Sequence, residues 1–196
     1  IKLICRNQAT LEQLERSWRW LAGPLDRLRH WLNRNSKHGS KRNILAHYDL
    51  SNAFYQLFLD PHLMYSSAIY PQPESTLEQA AEHKLRLICE KLQLKTTDHL
   101  LEIGSGGGGL AIYAARHYGC RVTTTTISDA QHAHAAAAIA AAGLGGQITL
   151  LKEDYRQLRG QYDKLVSIEM IEAVGHQYYD TFFRKCSELL KPEGAM

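Results

Sequence analysis

The stretch "LLEIGSGGGGLAIYAARHYG", residues 100–119, puts five glycines into the six positions from Gly104 to Gly109, interrupted by Ser105. An apolar run leads into it and a helix-forming run leads out. Glycines at a strand-to-helix turn allow φ angles closed to other residues and a close approach of backbone to a bound molecule. The string Gly104-x-Gly106-x-x-Gly109 has both the letters and the setting of a nucleotide-cofactor loop.

Outward from this loop the pattern alternates. "HLLEIG" is a short buried strand, "GLAIYAARHYG" a helix, "RVTTTTIS" a β-branched strand and "DAQHAHAAAAIAAAGL" an alanine-rich helix that Gly143 ends. "ITLLKED" is a third strand and "YDKLVSIEM" holds a fourth. "YYDTFFRKCSELLKPEG" is a helix stopped by Pro192 and Gly194. Strand–helix alternation with short connections predicts an α/β fold, a parallel sheet covered on both faces. Upstream, "TLEQAAEHKLRLICEKLQL" carries Leu77, Ala80, Ala81, Leu85, Ile88 and Leu92 at helical spacing.

The loop's charge setting bears on its ligand. A dinucleotide site wants a carboxylate near the end of the second strand, but that strand ends "TTTTIS" and Asp129 follows only later. Glu102 stands just before the first glycine. A carboxylate at the lip of the loop repels a pyrophosphate and suits a positively charged cofactor, such as S-adenosylmethionine with its sulfonium and ammonium groups. The residues therefore favour S-adenosylmethionine over NAD, with a ligand-free structural turn as a third reading.

Composition bounds the rest. The 196 residues, 44% of them hydrophobic, suffice for one good core and a helical appendage. Cysteines 5, 89, 120 and 186 are scattered without a CxxC pair, which argues against a zinc site or a disulfide scaffold and fits a reducing cytoplasm. No run reaches the roughly 18 apolar residues of a membrane span, and no signal peptide opens the chain. The ten histidines are dispersed; His132 and His134, two apart on a helix, do not share a face, so both are expected at the surface and no metal site is expected. The chain starts without methionine and stops at "LLKPEGAM", so it reads as a fragment of a longer protein.

Residues 1–44 hold ten Lys/Arg against three Asp/Glu, whereas the whole chain is only +3. Leu11, Leu14, Trp18, Leu21, Leu25, Leu28 and Leu32 recur at helical spacing, with Gly23-Pro24 dividing two helices and arginines on the opposite face. Such a basic pair can lie on an anionic membrane surface, or pack on the main domain with a solvated basic face. "NRNSKHGSKRN" is the linker, giving a helical segment at 1–43 and a main domain at 44–196. Basic residues confined to one segment and a pI near 8.6 do not make a nucleic-acid footprint.

The blocks "HYDLSNAFYQLFLD", "MYSSAIYP", "LLEIGSGGGGLAIYAARHYGCRVTTTTIS", "EDYRQLRGQYDKLVSIEMIEAVG" and "YYDTFFRKCSELLKPEG" occur in an order similar to that of cyclopropane-fatty-acyl-phospholipid synthases and mycolic acid cyclopropane synthases. The likeness runs from about His47 to the end. It implies a Rossmann-like class I methyltransferase that uses S-adenosylmethionine to build a methylene across a cis double bond of a phospholipid acyl chain. By that resemblance Tyr65 and Ser66 close over the methionine part of the cofactor. Glu102, Gly104, Ser105, Gly106 and Gly108 surround it, and Thr126, Ile127, Ser128 and Gln131 take the adenosine side. Asp154, Tyr155 and Arg156 flank the adenine. Glu172 and Ser67 are the implied catalytic residues, Glu172 partly holding a bicarbonate that removes the proton before ring closure. Glu169 is the competing carboxylate. The implied location is cytoplasmic, peripheral on the inner membrane through the basic helices, and a homodimer is left open.

The chain departs from the family pattern. Ser67 stands where many members have Cys, Gly107 where many have Trp, and Ala173 where a His is common. Gly107 removes a large side chain that many members place in the loop, which leaves room in the cofactor pocket. A further histidine and tyrosine of the bicarbonate site, and the last sheet strands, are expected beyond residue 196. The sheet is then truncated after strand four with an unpaired edge, and the isolated piece is expected to be inactive and to associate. Other readings are a small-molecule methyltransferase on the same scaffold and a degenerate cofactor- or membrane-binding module.

Overall fold

The computed structural model describes Tyr55 and residues 57–196. The basic helices, the linker, Cys5 and the boundary at 43/44 lie outside the described residues.

In chain order the elements are α1 (Leu77–Lys91), β1 (His99–Ile103), α2 (Gly109–Tyr118), β2 (Arg121–Thr125), α3 (Asp129–Ala141), β3 (Ile148–Leu151), β4 (Tyr162–Val166), α4 (Ile171–Val174), α5 (Tyr179–Leu189) and β5 (Leu190–Ala195). A 3-10 turn, Tyr155–Gln157, links β3 to β4. Every strand pair is parallel and the sheet order is β3-β2-β1-β4-β5. The α/β reading holds, and the order reverses between β1 and β4. In open parallel sheets, ligands sit beyond the carboxyl ends of the strands at such a reversal.

Local chemistry explains the elements. α1 starts on a reciprocal cap: Thr76 Oγ1 accepts from the Gln79 N–H at 3.2 Å, and Gln79 Oε1 accepts from the Thr76 N–H at 3.0 Å. Such a cap is worth about 1 kcal/mol. α2 stops at Gly119, whose φ of +67° suits glycine. Ser128 caps α3, accepting from the Gln131 N–H at 3.3 Å.

The period-two alternation of β1 divides its leucines between two cores. Leu100 packs with Leu85, Leu110, Ala114 and Val122 on one face; Leu101 packs with Tyr155, Leu165 and Phe182 on the other. Each fully buried leucine contributes roughly 2 kcal/mol. The threonine run of β2 is buried because its hydroxyls are satisfied. Thr123 Oγ1 lies 2.8 Å from His99 Nε2, Thr124 Oγ1 donates to Glu102, and Thr125 Oγ1 donates to the Glu153 carbonyl at 2.6 Å. Cys89, Cys120 and Cys186 are free, buried thiols.

The expected truncation after strand four is corrected. Helix α5 ends at Leu189, and the chain continues directly into β5 alongside β4, with Tyr162 opposite Leu190 and Lys164 opposite Ala195. Pro192 and Gly194 end the helix as breakers do, yet both belong to the new strand. An edge strand tolerates proline because one row of its backbone groups needs no ladder partner. Lys191 Nζ holds Asp163 Oδ1 at 2.6 Å across the pair. β4 is therefore covered, not an open edge.

Candidate cofactor site

The glycine loop follows β1 at the reversal of strand order. The N–H groups of Gly104 and Ser105 both donate to the Thr125 carbonyl, at 3.0 and 2.9 Å, tying the loop to the end of β2. Gly104, Gly106 and Gly108 have φ of +102°, +50° and +87°, which other residues rarely adopt. A Cβ on Gly106 would meet nothing within 4 Å, so this face of the loop is open. The Ser105 hydroxyl is buried beside it with no hydrogen-bond partner among the described residues. A buried hydroxyl without a partner costs free energy, and a bound polar molecule is one way to satisfy it. Loop and hydroxyl fit a nucleoside cofactor.

Facing the loop is the turn Asp60–Met64. The buried Asp60 carboxylate accepts from the N–H groups of His62 at 3.0 Å and Met64 at 2.8 Å. Leu63 takes a left-handed φ of +49°. This turn fills the space above Gly107, where a Cβ would lie 3.2 Å from the His62 carbonyl and 3.3 Å from Leu63 Cβ. The space a side chain at Gly107 would occupy is thus taken by this turn. Leu63 and Tyr65 line one side of the resulting cleft; Gly106, Gly107, Gln131 and His134 line the other. Tyr65 meets Tyr55 edge to face at 5.3 Å.

His134, expected at the surface, is partly exposed and lines the cleft. The sequence signal was its spacing of three from Gln131, which puts both on one helical face. Thr126, Ser128 and Gln131 form one network: Thr126 Oγ1 donates to Gln131 Oε1 at 2.8 Å and accepts from the Ser128 N–H at 3.1 Å. Ile127 lies between them, partly buried.

Glu102 lies beneath the loop, not at its lip. It is only 5% exposed, and Thr124 Oγ1 donates to its Oε2 at 2.6 Å. Burial pushes its carboxyl up to about 8, with the Thr124 bond opposing that rise. Buried and bonded to Thr124, Glu102 does not present its carboxylate to a ligand at the lip of the loop, so the choice of cofactor rests on other ground.

The third group divides. Asp154 caps the 3-10 turn and chelates Arg156, with Nε to Oδ1 at 2.8 Å and a second guanidinium nitrogen to Oδ2 at 2.5 Å. That pairing raises the affinity of the guanidinium for its proton. The Tyr155 ring points into the core, edge to face with Phe182 at 5.2 Å.

The two implied catalytic residues have different surroundings. Ser67 is bound to Glu169, whose Oε1 accepts from its N–H at 3.0 Å and its Oγ at 3.1 Å. Glu172, in α4, is exposed and makes no hydrogen bond or ion pair among the described residues. Sequence reasoning missed Lys84, whose Nζ donates to Ser66 Oγ at 2.6 Å and to the Ser67 carbonyl at 2.8 Å. A lysine four positions from Ala80 and three from Ala81, on an otherwise buried helical face, was the available signal. His62, Glu78 and Glu82 bring one ligand atom each within 4.8 Å of one another near the surface. No helix among the described residues is long and apolar enough to cross a membrane.

Residues 35–196 match the family described as mycolic acid cyclopropane synthetase. The chain belongs to that family. As a family member it is 44% identical over 148 residues to the cyclopropane-fatty-acyl-phospholipid synthase of Escherichia coli K12, covering 76% of this chain and 37% of that one. Its fold matches the cyclopropane synthase MmaA2 of Mycobacterium tuberculosis with a TM-score of 0.76 at 34% identity, covering 79% of this chain and 54% of the other. It also matches the mycolic acid cyclopropane synthase CmaA1, in a structure complexed with SAH and CTAB, with a TM-score of 0.74 at 34% identity and coverage of 78% and 53%. This cyclopropane synthetase homologue thus has the class I methyltransferase fold. It spans little more than a third of the Escherichia coli relative and about half of the mycobacterial structures.

Proposed function

We propose that this chain holds the cofactor site of an enzyme that transfers the methyl group of S-adenosylmethionine to the cis double bond of an unsaturated phospholipid acyl chain, closing it to a cyclopropane. The observation that carries the reading is the buried, unsatisfied Ser105 hydroxyl within an open glycine loop at the sheet's reversal point. The SAH in the related CmaA1 structure supports the same cofactor. When bound, S-adenosylmethionine supplies a strongly electrophilic methyl group, which a weakly nucleophilic alkene requires.

The chain's own residues bind and orient. Gly104, Gly106 and Gly108 keep the loop free of side chains, and Ser105 offers a donor from a site shielded from water. Thr126, Ser128 and Gln131 arrange polar atoms on the adenosine side. Leu63 and Tyr65 supply apolar and aromatic surface to one side of the cleft. Glu172, in the helix after β4, is an exposed carboxylate of this region. The excess of Lys/Arg in residues 1–44 supports contact with anionic lipid at the cytoplasmic face of a membrane.

Calorimetric titration of the chain with S-adenosylmethionine, with NAD as control, tests the cofactor. Binding of the first alone is expected; tighter binding of NAD overturns the reading. Incubation of the longer protein with vesicles of unsaturated phospholipid tests the substrate. A mass gain of one methylene on the acyl chain is expected, and methylation of an amine-bearing small molecule in its place overturns the lipid assignment.

A further inference from the structure

Three non-glycine residues among those described have a left-handed φ: Leu63 at +49°, Gln93 at +52° and Glu169 at +47°. Gln93 follows the last residue of α1 and Leu92, a position where helices often reverse hand. The other two have no such excuse. They contribute to the two ends of one segment: Leu63 lies in the turn before Tyr65–Ser67, and Glu169 is what that segment is bonded to. Strained backbone of this kind persists only where surrounding contacts over-determine it, and it concentrates at functional sites.

The contacts that hold Glu169 are specific. Its Oε1 accepts both the N–H and the hydroxyl of Ser67, at 3.0 and 3.1 Å, across 102 positions of sequence. Lys84 Nζ lies 3.6 Å from the same oxygen. That ammonium is buried, 7% exposed, and also donates to Ser66 Oγ and the Ser67 carbonyl. Burial lowers its proton affinity, and the neighbouring Glu169 charge opposes that loss. One carboxylate on the β4–α4 connection and one ammonium on α1 thus grip Ser66 and Ser67 through backbone and side chain alike. The next residue back, Tyr65, forms a wall of the cleft.

We propose that Glu169 and Lys84 are positioning residues of the methyl-transfer site, clamping Ser66–Ser67 so that Tyr65 is held as a wall opposite the glycine loop. The proposal rests on the reading of the cleft as the S-adenosylmethionine site. Neither residue needs to touch the reacting atoms. Their function is to remove the freedom of a segment that would otherwise have to be ordered at the moment of binding. The left-handed Glu169 is the conformation that aims the carboxylate at Ser67.

The test uses Glu169→Gly, which relieves the backbone strain while deleting the carboxylate, and Lys84→Met, which keeps a long apolar stem on the buried helical face. Amide hydrogen exchange of residues 65–67 is followed in the ligand-free chain, alongside thermal unfolding. Affinities for S-adenosylhomocysteine and for adenosine are measured by titration. The expected result for Glu169→Gly is an unfolding temperature no lower than wild type, faster exchange at 65–67, about a tenfold loss of S-adenosylhomocysteine affinity, and unchanged adenosine affinity. Lys84→Met is expected to show the same exchange and the same split between the two ligands. Glu169→Gln, which retains an acceptor oxygen, is expected to recover most of the protection. Unchanged exchange at 65–67 in Glu169→Gly overturns the clamp, whether or not the chain binds cofactor. Equal loss of both ligands overturns a role confined to this wall. If wild type binds no S-adenosylhomocysteine while exchange accelerates in the variants, the cofactor reading of the cleft falls and the clamp stands.

Discussion

Beneath the glycine loop, the Thr124 hydroxyl donates a 2.6 Å hydrogen bond to Oε2 of Glu102, joining neighbouring strands in the interior of the sheet. The pair is placed so that the acid is satisfied by one neutral donor and shielded from water. Burial raises its pKa from 4.5 to about 8. Above pH 4.5 the unfolded chain releases this proton while the folded chain keeps it, so stability falls as pH rises towards about 8 and then levels. Glu102→Gln removes that dependence and keeps an acceptor for Thr124. Unfolding free energies from denaturant titration are expected to match wild type near pH 5 and to exceed it near pH 8 by on the order of a few kcal/mol. Equal midpoints at both pH values would falsify the assignment of a proton to Glu102.

Ser105→Ala separates stability from binding. Removing a buried hydroxyl that lacks a partner is expected to leave the fold unchanged or to stabilise it by about 1 kcal/mol. If the hydroxyl serves the cofactor, affinity for S-adenosylmethionine drops about tenfold in the same variant. Thermal unfolding and titration on one preparation give both numbers. A loss of stability with unchanged binding would assign Ser105 to the fold alone.

Gly107→Ala probes the packing of the Asp60–Met64 turn on the loop. The added Cβ meets the His62 carbonyl at 3.2 Å and Leu63 Cβ at 3.3 Å, so the turn must shift by a few tenths of an ångström. A cost of about 1 kcal/mol is expected, with faster amide exchange at Leu63 and Met64, whose N–H groups bond to Asp60. A stabilised variant with unchanged exchange would show an underpacked contact instead.

Tyr155→Ala and Tyr155→Phe distinguish a core ring from a ligand-flanking one. The ring packs against Phe182, so truncation to alanine is expected to cost about 3 kcal/mol in denaturant unfolding. Tyr155→Phe keeps the ring and is expected to bind S-adenosylmethionine as wild type does. A marked loss of affinity in the phenylalanine variant would place the hydroxyl in the cofactor site.

Much of the fold was legible because it follows from local periodicity. Apolar runs before glycines, a β-branched strand and an alanine-rich helix each announce their element within a few residues. β5 was not legible, since Leu190–Ala195 contains Pro192 and Gly194 and becomes a strand only because β4 offers a free ladder beside it. In the candidate site, the glycine loop was readable from its letters and setting, and Thr126, Ser128 and Gln131 were named by resemblance, while the hydrogen bonds joining them appear only in the structure. Lys84 was visible only as a charge on an apolar face, and its partners were invisible.

The amino-acid sequence by itself determined the alternating strands and helices, the glycine loop and the likeness to cyclopropane synthases, because each resides in short-range pattern. Tertiary structure alone decided that Glu102 is buried, that His134 faces the cleft, and that Glu169 rather than Glu172 reaches Ser67 across 102 positions. Burial and long-range pairing depend on which surfaces the packed sheet and helices bring together, and no window of sequence contains both partners.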